Sequence, residues 1–187
     1  MERAIPVSDR SLALPRITAV VLGAVFVAAA AQISVPLPGT PVPMTLQPLA
    51  VLLVGGLLGA RLGAASMVLY LALGIAGLPV FTPTVPLLGI ARLLGPTGGY
   101  LLAYPVAAWV VGAMVRDGRD WARVALGVLV GLVLIHVGGL AQLAILTGNV
   151  SAAARLGTLP FLVGDLAKLV VAAAVLTKLT PAVRARL

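Results

Sequence analysis

Asp165 and Lys168 fall inside one long apolar run, in Gly-Asp-Leu-Ala-Lys (164–168). A centred Asp or Lys costs about 2.5–3.5 kcal/mol on membrane-insertion scales, so a pair of them in one run needs a reason. Spacing i, i+3 places both on one helical face, near enough to pair. One role is a self-neutralised pair that ties helices together. The other is a polar ligand site facing the interior, where Asp165 accepts N–H bonds and Lys168 donates to a carbonyl or carboxylate. Arg92 stands in a Gly/Pro-broken stretch, 89–100. Its planar fork suits a carboxylate ligand, and the alternative is a cation that snorkels to lipid headgroups. Gln47 opens another apolar run, as a ligand contact or a helix-end cap. His136 and Gln142 share a later run, where an interhelical hydrogen bond is expected.

Little other chemistry is available. With no Cys, disulfides, thiol catalysis and thiolate metal sites are excluded, and a single His cannot build a His-rich metal centre. The only lysines are Lys168 and Lys178, and neither follows Gly as a Walker A loop requires. ATP-driven work must therefore come from a partner. An intramembrane enzyme would have only Asp165 and His136 as acid–base groups, with no Ser/His motif or metal cluster to assist. The expectation is a binding protein with no catalytic residues, no metal and no resident cofactor. A carrier coupled to protons through Asp165 is the competing class.

The elements that must position these residues follow from composition. Of 187 residues, 61% are hydrophobic and 10% charged, against about 25% charged in an ordinary soluble domain. So much apolar surface needs lipid as its solvent. At about 20 residues per span, plus connections, the chain allows six spans in a single domain, 1–187. An all-α membrane protein is expected, with a polar segment 1–16, a bundle over 17–180 and a tail 181–187. The spans read as 17–35, 46–60, 62–77, 100–115, 124–146 and 159–179. A signal peptide is the lesser reading of the first. Residues 36–45 hold four prolines and cannot be helix. Residues 78–99 are apolar yet broken by Pro and Gly, and such backbone survives at membrane depth only where protein buries it or it lines a cavity. Residues 147–158 read as a short polar connection.

The net charge of +8 does not imply nucleic acid, because the basic residues sit in gaps between apolar runs. With six spans, ten basic residues fall on the side of the termini, while Arg92 and Arg155 fall on the other. The positive-inside rule then makes both termini cytoplasmic. Segments 36–45 and 78–99 face outward together and are expected to roof a cavity. Gly55, Gly59 and Gly63, and Ala24 with Ala28, recur at spacing four as ridges for close helix approach.

Five stretches in order carry a resemblance: Ala-Gln-Ile-Ser-Val-Pro-Leu-Pro-Gly (31–39), Val-Pro-Met-Thr-Leu-Gln (42–47), Gly-Leu-Pro-Val-Phe (77–81), Gly-Pro-Thr-Gly-Gly-Tyr (95–100) and Gly-Asp-Leu-Ala-Lys (164–168). They resemble the biotin-specific S component of energy-coupling-factor transporters, the BioY family. The resemblance covers about 16–180. It implies an S-component fold in a bacterial cell membrane that captures biotin from outside. It further implies docking, through small residues such as Ala24 and Ala28, on a transmembrane coupling subunit powered by ABC-type ATPases that alone bind ATP. Some members are thought to act without such a module. The resemblance leaves open a solitary small-carboxylate carrier, an S component for another vitamin, and a homo-oligomer. Biotin's chemistry fits independently. Its ureido ring offers two N–H donors and a carbonyl, which Asp165 and Lys168 can serve. Its valerate carboxylate suits Arg92, with Lys168 the other candidate, and Gln47 is a weaker contact.

Overall fold

The structure, a computed structural model, describes residues 9–186, with side chains from Leu14 onward. Of the expected N-terminal segment, Arg3 lies outside the described residues, as do the side chains of Asp9 and Arg10. The chain is mostly helical. Helix α1 (Asp9–Gln32) starts well before the expected residue 17 and runs through Pro15. It ends where a two-stranded ladder begins, β1 (Ser34–Val35) pairing antiparallel with β2 (Met44–Thr45). This ladder carries the Pro-rich loop and was not legible in the sequence, because each strand has only two residues.

Helices α2 (Gln47–Leu58) and α3 (Ala60–Ile75) meet at Gly59, whose φ of +86° suits glycine. Gly59 is thus a corner. Gly55, Gly59 and Gly63 do not form one ridge; instead Gly55 and Gly63 face each other across the corner. A Cβ on Gly63 would lie 2.8 Å from the Gly55 Cα, and one on Gly55 would lie 2.8 Å from the Ala108 Cα. Three backbones therefore touch at this point, which only small residues permit.

The broken segment contains the short α4 (Ile90–Leu94), followed by α5 (Gly98–Val115) and α6 (Trp121–Thr147). The expected polar connection holds a further helix, α7 (Val150–Gly157), capped by Asn149 Oδ1 accepting from the Ala152 N–H at 3.0 Å. A 3-10 turn over Leu159–Phe161 leads into α8 (Leu162–Arg184), which continues through Pro181 into the expected tail.

Among the described residues four stretches are long and apolar enough to cross a membrane: Leu14–Gln32, Gly98–Val115, Trp121–Thr147 and Val150–Arg184. Helices α2 and α3, at 12 and 16 residues, reach only about 18 and 24 Å against a hydrocarbon core of about 30 Å. Protein shields α2, whose buried face runs from Gln47 to Gly56. The outer surfaces are apolar too: Leu22, Phe26, Val106, Trp109, Val133, Val137 and Val163 are exposed. Helices apolar on every side suit lipid.

The non-helical segments gather at one end, as expected. Gln32 Nε2 donates to the Phe81 carbonyl at 3.4 Å, and Thr40 Oγ1 to the Leu156 carbonyl at 2.6 Å. Gln142 Nε2 donates to the Leu93 and Gly95 carbonyls at 2.8 and 2.7 Å. That glutamine makes the expected interhelical bond, from α6 to α4, and with it tethers the broken segment over the bundle. At the other end Arg184 Nη2 donates to the Gly56 and Gly112 carbonyls at 2.7 and 2.9 Å, pinning α8 to the ends of α2 and α5.

Candidate functional site

A cavity opens beneath the broken segment, and its walls bring the expected polar residues together. Arg92, Asp165, Lys168 and Gln47 all line it, with His136, Thr45, Thr82, Thr97, Tyr100, Tyr104 and Phe161. Those residues come from α2, α4, α5, α6 and α8, from β2, from the loops before α4 and α5 and from the 3-10 turn before α8, so no single stretch of sequence contains the site.

On the α8 wall Asp165 is the hub. Its Oδ1 accepts from Lys168 Nζ at 2.9 Å, and its Oδ2 is bonded to His136 Nε2 at 2.5 Å. The i, i+3 pairing expected within α8 is present. His136 makes the expected interhelical bond, from α6 to α8, and also faces the cavity. Each carboxylate oxygen keeps a second lone pair, so Asp165 can accept further N–H bonds without releasing its partners.

On the α4 wall Arg92 is 1% exposed, so it does not snorkel. Two of its donors hold the broken segment: Nη1 to the Val85 carbonyl at 2.6 Å and Nη2 to the Thr82 carbonyl at 2.9 Å. Its guanidinium also sits 5.9 Å from the Phe81 ring centroid, a cation–π arrangement. No carboxylate pairs with it among the described residues. Burial lowers its pKa from the usual value, through desolvation first. A guanidinium starts so high that it stays charged.

Gln47 is no helix cap. Its Nε2 donates to Tyr70 Oη at 2.6 Å, and that hydroxyl donates to the Val80 carbonyl at 3.2 Å. This chain joins α2 to α3 and to the segment over the cavity. Tyr70, Thr97, Tyr100 and Tyr104 were missed in the sequence, since hydroxyls in apolar helices give no signal of direction. Tyr100 Oη is spent on the Gly157 carbonyl at 2.6 Å, which fixes α7.

Two features define what the cavity can take. Two cations, Arg92 and Lys168, and one anion, Asp165, line it, which leaves a surplus positive charge. In addition Arg92 Nε, Thr97 Oγ1 and His136 Nδ1 are buried with no hydrogen-bond partner. Buried polar atoms are almost always paired, and unpaired ones at a cavity mark where a ligand bonds. The complement is a small anion with a polar, hydrogen-bonding head and an apolar body.

The expected docking residues are placed differently. Ala24 is 1% exposed and belongs to the core, and Ala28 is half-buried against it. Their small side chains let α1 approach its own bundle, and the outward face of α1 carries Leu22, Val25 and Phe26 instead. With Ala24 in the core, Ala24→Trp should overpack it by about 1–3 kcal/mol or more. A lowered melting temperature in detergent is the expected result, and wild-type melting would refute the inward placement.

A family model described as the BioY family matches residues 4–185. A protein of Pyrococcus horikoshii called a probable biotin transporter BioY is 44% identical over 138 residues, covering 74% of this chain and 79% of that one. The biotin transporter BioY of Thermotoga maritima is 37% identical over 149 residues, covering 80% and 86%. A crystal structure of the S-component for biotin from an ECF-type ABC transporter superposes with a TM-score of 0.82, at 25% identity, over 94% of each chain.

Proposed function

The chain belongs to the BioY family, and from that premise we propose that it is the biotin-capturing S component of an uptake transporter energised by ATP hydrolysis in partner subunits. The observation that carries this reading is the buried Arg92 without an acid, on one wall of a cavity whose other wall holds Asp165, Lys168 and His136. Biotin's valerate carboxylate pairs with Arg92, whose Nε is unspent. The ureido N–H groups donate to Asp165, and Lys168 donates to the ureido carbonyl. Gln47 supports the wall through Tyr70, and its loss acts on binding more weakly than loss of a charge. The thiophane ring and aliphatic chain lie against Val42, Leu101 and Phe161.

The division of labour follows from charge. Asp165 and Lys168 neutralise each other, so their wall recognises a neutral head. Arg92 alone is uncompensated, so its wall recognises the anionic tail. Six helices, α1, α2, α3, α5, α6 and α8, cross a bacterial membrane in this reading, with both termini cytoplasmic. The segment over the cavity faces outward, where the vitamin arrives. The coupling subunit meets the exposed apolar face of α1. The chain has no catalytic role.

A tightly held ligand survives purification. Native mass spectrometry of the protein from cells grown with biotin is expected to show a one-to-one complex at the mass of biotin. A protein that binds no added radiolabelled biotin after ligand exchange would overturn the assignment.

A further inference from the structure

All three tyrosines of the chain are buried: Tyr70 of α3, and Tyr100 and Tyr104 of α5. Two of their hydroxyls are committed. Tyr70 Oη accepts from Gln47 and donates to the Val80 carbonyl, and Tyr100 Oη donates to the Gly157 carbonyl. The Tyr104 hydroxyl makes no hydrogen bond among the described residues, although the side chain is only 3% exposed. Buried tyrosine hydroxyls usually find a partner. Tyr104 lines the central cavity, so the space beside it is the space a ligand takes.

The surroundings of Tyr104 narrow what that partner is. Tyr100 and Tyr104 stand one turn apart on α5 and share a face. The phenols that act electrostatically on Arg92 are Tyr70 and Tyr104, whereas Asp165 acts on Tyr100. Arg92 also acts on Tyr104 more strongly than Asp165 does. The unspent hydroxyl therefore belongs to the Arg92 wall, where the positive charge is uncompensated. A carboxylate bound there has about four lone-pair sites, and a guanidinium fork fills two of them. Lone pairs left empty on a buried carboxylate cost free energy, so a further donor on the same wall has a use. Arg92 Nη1 and Nη2 already serve the Val85 and Thr82 carbonyls. We propose that Tyr104 is a specificity-determining residue of this site, its hydroxyl donating to the ligand carboxylate beside Arg92. A cation and a neutral donor then hold the acid together, and an acid is favoured over its neutral derivatives by both. Tyr100, one turn away, cannot substitute, because its O–H is spent on α7. The inference rests on the reading of the cavity as a biotin site with the valerate tail at Arg92.

Tyr104→Phe keeps the ring and its packing and removes one oxygen. The full chain, wild type and variant, is titrated in detergent with biotin and with biotin methyl ester. Biotin binding should weaken about tenfold, as for one hydrogen bond to a charged group, and ester binding about threefold or less. The preference for the acid should fall accordingly. Equal weakening of both ligands overturns the proposal, because lost packing or a contact with the ureido head affects them alike. Unchanged biotin affinity overturns it too. Infrared difference spectra of wild type carrying isotope-labelled tyrosine rings read the same bond without any substitution. Addition of biotin should shift a phenol C–O band, and the ester should shift it less. No shift with bound biotin overturns the proposal. A wild type that binds no biotin would overturn the biotin reading as well. A wild type that binds biotin and prefers it to the ester, beside a Tyr104→Phe variant with the same preference, overturns this inference alone.

Discussion

Asp165→Asn is expected to weaken biotin binding by at least tenfold, which is about 1.4 kcal/mol. The substitution keeps the size of the side chain, so packing on α8 is preserved. What changes is the hub. Asp165 accepts from Lys168 at 2.9 Å and is bonded to His136 at 2.5 Å. An amide has one oxygen, so it can no longer accept at both positions, and the NH₂ now faces a donor. Lys168, buried at 7% exposure, loses its counter-charge. Breaking a buried pair by removing one partner costs about 3–5 kcal/mol, because the other charge is left uncompensated. Part of that falls on the fold and part on the ligand. Titration of the folded variant with biotin gives the second part. The double variant Asp165→Asn/Lys168→Met removes both charges, so its fold should recover relative to the single variant while binding stays weak. Unchanged affinity in Asp165→Asn would remove Asp165 from the site.

The sequence made the long elements legible because lipid imposes length and apolarity together. Each expected span over 46–179 overlaps a helix of the structure, with ends shifted by only a few residues. The exceptions have physical causes. Helix α1 begins at Asp9, since polar residues outside the hydrocarbon are as free to be helical as those inside. Helix α7 is short and ends on the cavity side, so it carries no span signal. Asp165, Lys168 and Arg92 stood out because a charge in an apolar run has no cheap explanation. Ala24 and Ala28 carry a weaker signal. A small residue allows close approach but does not say to which helix, and here the partner is the chain's own core. His136 was read as a plain interhelical bond, and the bond exists. Its second role, at the cavity, depends on which way Nδ1 lies, and one-dimensional spacing does not contain that.

Arg92→Ala tests the other wall, and its effect should depend on the ligand. Wild type should prefer biotin to its methyl ester, because the ester has no charge to offer the guanidinium. A hydrogen bond to a charged group contributes about 1.5–3 kcal/mol, which is roughly 10- to 150-fold in affinity. Arg92→Ala should weaken biotin by that factor and the ester only slightly, so the preference collapses. Arg92 also holds the Thr82 and Val85 carbonyls, so its removal loosens the segment over the cavity. That structural loss weakens both ligands alike, whereas loss of a carboxylate partner weakens the acid alone. The ratio of the two affinities cancels the shared part, in the manner of a double-mutant cycle. Arg92→Lys sharpens the result: it keeps the charge but not the planar fork, so it should restore part of the preference and little of the tethering. Competition binding of acid and ester to the three proteins gives the ratios. If Arg92→Ala keeps the full preference for the acid, the carboxylate lies at Lys168. The ligand would then sit reversed in the cavity, with its ureido head against α4.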